Sequence, residues 1–378
     1  MKVSIDKGAL MVPLYRAQGV IDRKALTNVL ACVHIEADGD SLTFTATDYD
    51  VTMTAEVTAE VKQPGRALIN GKALFDVVRA LPDGEVVELH ADDNHRIRVT
   101  AARARYELYG MAPDEFPEVV EKGGEESALH FDKDQIQEML RRTLFSVSTD
   151  ESRPALNGVL LEIEPDEPGH ARLRMVSTDG HRLSKVERVV TAERYDGNNH
   201  RCIVHRRGAS ELQRIFEGSD PGVRVAFVGR NVIFTSDKAR LQVRQIEENF
   251  PEYQRVIPEQ GDVQVLISKD RFVQAIRRVS SLASSSRHEL LRFQLQEGLL
   301  VLEMIHQDFG EAREELELPA YEGNPLSVGF NPRYLLDVFS VIDASDVTIE
   351  VSDQFSPCLV TSEEEPGAIF VVMPMRLQ

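Results

Sequence analysis

One pattern occurs three times along the 378-residue chain. The segments Asn70–Leu81, His205–Phe216 and Asn331–Ile342 align with an acid at Asp76, Glu211 and Asp337. An apolar residue follows at Val77, Leu212 and Val338, and a large apolar residue stands five beyond the acid at Leu81, Phe216 and Ile342. The offsets are 135 and 126 residues. A strand-turn-strand pattern repeats with its turn acids at Asp48, Asp179 and Asp308, offset by 131 and 129. Phe116-Pro117-Glu118 returns as Phe250-Pro251-Glu252, 134 residues on. Three landmarks sharing a period near one third of the chain imply one supersecondary unit used three times. The expected domains are 1–124, 127–258 and 259–378, joined by the short polar stretches Glu121–Glu126 and Ile257–Asp262.

Within each third, helical spacing alternates with strand spacing. Ile136, Leu140, Leu144 and Val147 recur at the helical period, as do Phe272, Ile276, Val279 and Leu282. Val86–Leu89 and Ile97–Val99 alternate as strands. Two helices and several hairpin-like strands per repeat predict α+β domains, with helices on one face of antiparallel sheets. The helices are expected in windows 5–24, 70–83, 131–149, 205–218, 268–288 and 330–343.

The charge is divided unevenly between these windows and the rest. The whole chain carries −19. The six windows hold 18 Lys and Arg against 12 Asp and Glu, a net +6, which leaves −25 on the remaining residues. An acidic protein is ordinarily a poor partner for nucleic acid. A positive helix layer inside a negative chain fits a duplex touching one face only, because screening confines each surface's field to roughly 8 Å.

Other classes are less well supported. Cys32, Cys202 and Cys358 are widely spaced and odd in number, which predicts neither a disulfide framework nor a cysteine metal site and fits a reducing cytoplasm. The first residues lack the apolar core of a signal peptide, and no apolar run approaches a membrane span. Asp179, His181 and Ser184 offer an alternative reading as a hydrolase site on a three-domain scaffold, but they lie too close along one strand-turn to converge, and no nucleophile elbow is present. His288-Glu-Leu-Leu-Arg292 lacks the second histidine of a zinc motif. Asp48 with Asp50 is more simply a solvated turn than a metal site. Neither catalytic residues, a metal nor a cofactor is expected.

Five ordered segments carry a resemblance that spans the chain: Asp150–Val159, Thr178–Leu183, Asn249–Pro258, Phe330–Asp337 and Val372–Leu377. They resemble the bacterial DNA polymerase III beta subunit family, the beta sliding clamps. The resemblance implies three tandem clamp domains per chain and a ring-shaped head-to-tail homodimer, with helices lining the inner face and antiparallel sheets outside. It implies a non-catalytic processivity factor in the cytoplasm, associated with the nucleoid during replication. Its partners would be double-stranded DNA without sequence preference, a second copy of itself, and no membrane. The polymerase III alpha subunit, the clamp loader delta subunit, other polymerases and repair proteins would dock through short linear peptides.

Carried onto this sequence, the resemblance implies a peptide pocket of Arg153, Leu156, Thr178, Gly180, His181, Arg182, Leu183, Pro251, Arg255, Val256, Asn331, Tyr334, Val371, Met373, Pro374, Met375 and Arg376. Met373 and Met375 suit a site that adapts to several ligands, and Arg182 and Arg376 suit peptide carbonyls or a carboxylate. Duplex contacts are expected from Arg23, Lys24, Lys72, Arg79, Arg141, Arg142, Arg206, Arg207, Arg277, Arg278 and Arg287, with Ser284–Ser286 in a nearby loop. Ring closure is expected to join Arg96, Arg103, Arg105, Tyr106 and Leu108 to Leu282, Ala283, Glu311, Glu314 and Glu315 of the other copy. The sequence departs from the family pattern at Gln378, one residue past the usual terminal Leu, and at Phe355-Ser356-Pro357 beside the pocket.

Overall fold

The computed structural model describes all residues except 22–27, 120–128, 192–194, 196, 216–221, 259–260, 262, 283–289, 307, 319–320, 322–323 and 378. The first linker and Arg23, Lys24, Ala283, Ser284–Ser286, Arg287 and Gln378 lie outside the described residues. Each third opens on a strand that runs into a helix: α1 (Lys7–Val20), α3 (Lys133–Leu144) and α5 (Lys269–Val279). Asp6 and Asp132 cap the first two, accepting the amides of Ala9 at 3.1 Å and Gln135 at 3.0 Å. The second helices are α2 (Gly71–Ala80), α4 (Arg206–Ile215) and α6 (Pro332–Phe339). Their buried faces, Leu74 with Val78, Leu212 with Ile215, and Leu335 with Val338, hold them on the sheets.

Helices α1, α2, α3, α5 and α6 are shorter than their predicted windows. Leu81 is extended because it precedes Pro82, which ends α2. After Val279 the chain tightens into a 3-10 turn over Ser280–Leu282. A lysine at the start of the first helix ties the two helices of a domain together. Lys7 donates to the carbonyls of Leu81 and Arg79 and pairs with Asp83 at 2.7 Å. Lys269 donates to the Ile342 carbonyl at 2.9 Å. Counted by sequence toward the positive helix layer, these lysines instead bind the backbone at and just beyond the end of the second helix.

The sheets show how the repeats are joined. The Val51–Thr58 strand of the first third pairs antiparallel with Ala239–Ile246 of the second, Ala55 opposite Ala239. The Arg182–Thr191 strand of the second third pairs antiparallel with Ala368–Val372 of the third, Val186 opposite Ala368. These seams fuse strands of all three thirds into one sixteen-stranded sheet. A five-stranded sheet in the first third ends on the edge strand Ala104–Tyr109. A four-stranded sheet in the last third ends on the edge strand Gly310–Glu317.

At the first seam α1 packs on α4. Gly19 permits the approach: a Cβ there would stand 1.8 Å from Glu211 Oε2. Burial raises the Glu211 carboxyl's pKa, against the pull of Arg214 and Arg207. Arg207 pairs with Asp48 and donates to the Val20 carbonyl at 2.7 Å. Cys32, Cys202 and Cys358 are buried and form no disulfide with one another, and burial pushes the Cys32 thiol up to about 11. No helix among the described residues is long and apolar enough to cross a membrane.

Candidate functional site

The second seam builds a cleft of about 240 Å³, lined by Leu156, Thr178, Gly180, Arg182, Leu183, Pro251, Tyr253, Val256, Val371 and Met373. Leu183 and Val371 face each other across the seam and are buried with Leu156, Val176 and Phe250 beneath the opening. The Thr178–Leu183 turn is held by its own polar groups. Thr178 Oγ1 donates to the Arg182 carbonyl at 2.6 Å, and Asp179 Oδ1 accepts the amides of His181 at 2.9 Å and Arg182 at 3.0 Å. Gly180 takes φ +88°, the left-handed region that favours glycine. Met373 N donates to the His181 carbonyl at 2.8 Å, and Met375 N to the Gly329 carbonyl at 2.8 Å, so the terminal segment is pinned as one wall.

Tyr253 is the lining residue absent from the sequence-based set. It is buried, and its hydroxyl donates to Glu162 Oε2 at 2.8 Å. Burial first, then that carboxylate, raises its pKa. The spacing echo Phe250-Pro251-Glu252 pointed to this segment but not to Tyr253, the residue just after it, because Val119 stands at the matching place in the first repeat.

Several expected residues occupy other roles. Arg182 is not a free arm for peptide carbonyls. Its Nε meets Asp179 at 3.1 Å, Nη1 meets Asp337 at 2.5 Å, and Nη2 donates to the Phe145 carbonyl at 2.7 Å. Its guanidinium also lies 4.9 Å from the Tyr334 ring centre. It is a tie between the second and third repeats that fixes the cleft wall. Tyr334 stacks on His181 at 5.8 Å. Asn331 caps α6, accepting the Arg333 amide at 2.9 Å, and is buried. Arg153, Arg255 and Arg376 are exposed, with Arg153 Nη1 leaning to 3.3 Å from the place a Cβ of Gly180 would take. Pro374 and Met375 are half-buried along the terminal wall. Phe355 and Ser356 belong to a turn fastened by Asp353 and do not line the cleft.

The expected duplex set divides by exposure. Arg206 and Arg277 are exposed on α4 and α5. Lys72 and Arg79 are exposed on α2, and both pair with Asp76. Arg141 pairs with Asp343, and Arg278 meets Glu314 Oε2 at 2.9 Å. Arg142 is the clear correction: its side chain is 5% exposed, set among Glu138 at 3.1 Å, Glu365 at 2.9 Å and Asp343 at 3.3 Å. The Glu138 and Glu365 contacts are close but poorly aligned for hydrogen bonds, so charge rather than directionality holds Arg142 there. A buried arginine between helix and sheet cannot reach a phosphate. Arg16, counted as a helix cation, is likewise buried. The helices add two exposed arginines outside the expected set, Arg271 and Arg333.

Of the expected closure residues, Arg96 and Arg105 are exposed on or beside the free edge Ala104–Tyr109, and Arg96 meets Glu107 at 3.1 Å. Arg103 is exposed in the preceding turn, and Tyr106 and Leu108 are half-buried in the edge strand. Leu282 is half-buried after α5, and Glu311 and Glu315 are exposed on the other free edge. Glu314 turns inward to Arg278 of its own chain, whose hydrogen bond lowers its pKa.

No triad forms at Asp179. Its oxygens hold the turn, and the buried Ser184 hydroxyl donates to the Arg142 carbonyl. Among the described residues no group of three or more His, Cys, Asp or Glu is placed to hold a metal.

Comparison with known proteins gives one answer along the whole chain. Family models described as the DNA polymerase III beta subunit N-terminal, central and C-terminal domains match residues 1–120, 130–252 and 254–376. A beta sliding clamp of Caulobacter vibrioides is 32% identical over 378 residues, covering 100% of both chains. The solved Caulobacter crescentus pol III beta structure superposes with a TM-score of 0.90 at 32% identity, covering 100% of both. A Pseudomonas aeruginosa sliding clamp bound to griselimycin superposes with a TM-score of 0.91 at 31% identity, also covering 100% of both. The chain therefore belongs to the DNA polymerase III beta subunit family, the non-catalytic sliding clamps, and consists of three tandem clamp domains.

Proposed function

We propose that this chain closes head to tail with a second copy into a six-domain ring around duplex DNA. In this reading the cleft at the second seam takes short linear peptides of the polymerase alpha subunit, the clamp loader delta subunit, and other polymerases and repair proteins. One observation carries the ring. Both seams within the chain join the same two kinds of strand, and among the described residues one edge of each kind is left unpaired, Gly310–Glu317 and Ala104–Tyr109. Complementary edges at opposite ends are satisfied when heterologous contacts close.

The repeat supplies the register. Ala312 stands where Ala55 and Val186 stand in the seams, each opposite a buried Phe44, Met175 or Met304 of its own hairpin. Ala104 stands where Ala239 and Ala368 stand, directly after a hairpin turn. Ala312 then faces Ala104 of the second copy, and Glu311 faces Arg105. Lys72 matches Arg207 by the 135-residue offset, and Asp308 matches Asp48. Since Arg207 pairs with Asp48, Lys72 is assigned to Asp308 of the second copy rather than to DNA.

For the duplex, the helices expose six cations besides Lys72, namely Arg79, Arg206, Arg271, Arg277, Arg278 and Arg333, against the two exposed acids Asp134 and Asp270. This supports weak, sequence-independent phosphate contact. A topologically closed ring needs no more.

Charge reversal at Arg105 tests the register. Arg105→Glu is expected to weaken the dimer about tenfold or more, and adding Glu311→Arg to recover most of the loss. Sedimentation of the single and double variants reads both. An unchanged constant in the single variant rejects this edge, and failure of the double variant to recover rejects the pairing.

A further inference from the structure

We propose that Ile305 and Phe309 of one subunit and Tyr109 of the next form an apolar clasp on the outward side of the ring-closing seam. The inference rests on the ring reading above and names side chains that carry it. In the single chain these residues are 63%, 65% and 78% exposed. Large apolar side chains left bare at two free sheet edges mark a surface that another molecule covers. Each aromatic ring is already steadied by its own chain. His306 stacks on Phe309 at 4.4 Å, and the Arg96 guanidinium lies 5.8 Å from the Tyr109 ring centre.

The second seam shows what such positions do when filled. Val176, Leu183 and Val371 meet there in one apolar floor, with exposures of 0%, 2% and 1%, and Met373 stands at its edge. Ile305 occupies the repeat position of Val176, 129 residues on. Tyr109 lies as far beyond Ala104 as Met373 lies beyond Ala368. Ile305 is paired with Glu311 in its hairpin, so Phe309 is its diagonal neighbour. With Glu311 opposite Arg105 of the second copy, Phe309 falls opposite Glu107 and diagonal to Tyr109. The three side chains form one row across the seam. The occupant is a second copy of this chain, because the row is continuous with the two edges whose charges, Glu311 and Arg105, complement each other.

The clasp predicts closure that survives salt, whereas the exposed ion pairs are screened. The dimer constants of the wild type, Phe309→Ser, Tyr109→Ser and the double variant are compared by sedimentation at about 0.1 M and about 1 M sodium chloride. Each single variant is expected to weaken the dimer about tenfold or more at both salts, the double by less than the product of the two. Phe309→Leu, which keeps an apolar group, is expected to retain most of the affinity and shows that the loss is not one of folding. Unchanged constants in both serine variants overturn the clasp and leave the ring standing, as does a weakening seen only at low salt. Serine variants that dimerise normally but lose a bound peptide would assign the row to that peptide and overturn the clasp. A wild-type chain that is monomeric overturns the ring itself.

Discussion

Truncation before Met373 is expected to lower affinity for a fluorescent polymerase C-terminal peptide by about 100-fold or more, with the dimer intact. The cut removes one wall of the cleft and the two backbone bonds that pin it, to His181 and Gly329. It leaves Val371 and Val372 paired with Leu183 and Arg182, so the seam itself remains. Neither free edge strand is touched. Leu183→Asp puts a charge into the apolar floor and is expected to give the same loss by a different route. Fluorescence anisotropy reads the peptide and sedimentation reads the dimer. Unchanged peptide affinity in both variants would remove the cleft from the account.

Arg142→Ala is expected to cost about 3–5 kcal/mol of stability, since it leaves one buried acid, Glu365, uncompensated. Glu365 is 9% exposed and meets Arg142 at 2.9 Å. Its other oxygen accepts the amides of Asp343 at 2.6 Å and Ala344 at 2.9 Å, so it cannot swing out to water without undoing the start of the following segment. Asp343 retains Arg141, and Glu138 retains Arg188 at 2.7 Å, so Glu365 is the group left stranded. Calorimetry of Arg142→Ala beside Arg277→Ala separates a structural arginine from an exposed one. The exposed arginine should leave the melting temperature nearly unchanged and weaken retention on DNA. Equal stability of the two variants would contradict the burial of Arg142.

The repeat, the two helices per third and the α+β pattern were legible because they rest on local periodicity. Cleft residues such as Leu156, Leu183 and Val371 come together through strand pairing between residues far apart in the chain, and the ordered motifs pointed to them where spacing alone did not. Helix ends were misjudged where a proline or a 3-10 turn stops the ladder, as at Leu81 and Val279. Charge counting failed for Arg142 and Arg16 because a count carries no direction. Arg141 and Arg142 are adjacent, yet one faces out and the other lies with Met139 and Thr143 on the buried face of α3. The fate of the Arg182 guanidinium was likewise out of reach, since Asp337 and Phe145 come to it from distant parts of the chain. The apolar row at Ile305, Phe309 and Tyr109 reads as ordinary strand alternation until the sheet edges are known.

Retention on DNA tests the central claim most directly. The protein should sediment at about 85 kDa, twice its 42.4 kDa chain mass. After a clamp loader places it on nicked circular duplex, it should stay bound through gel filtration in salt and be lost when a single cut linearises the circle. A chain that remains monomeric, or that leaves circular and linear duplex equally fast, would contradict the ring.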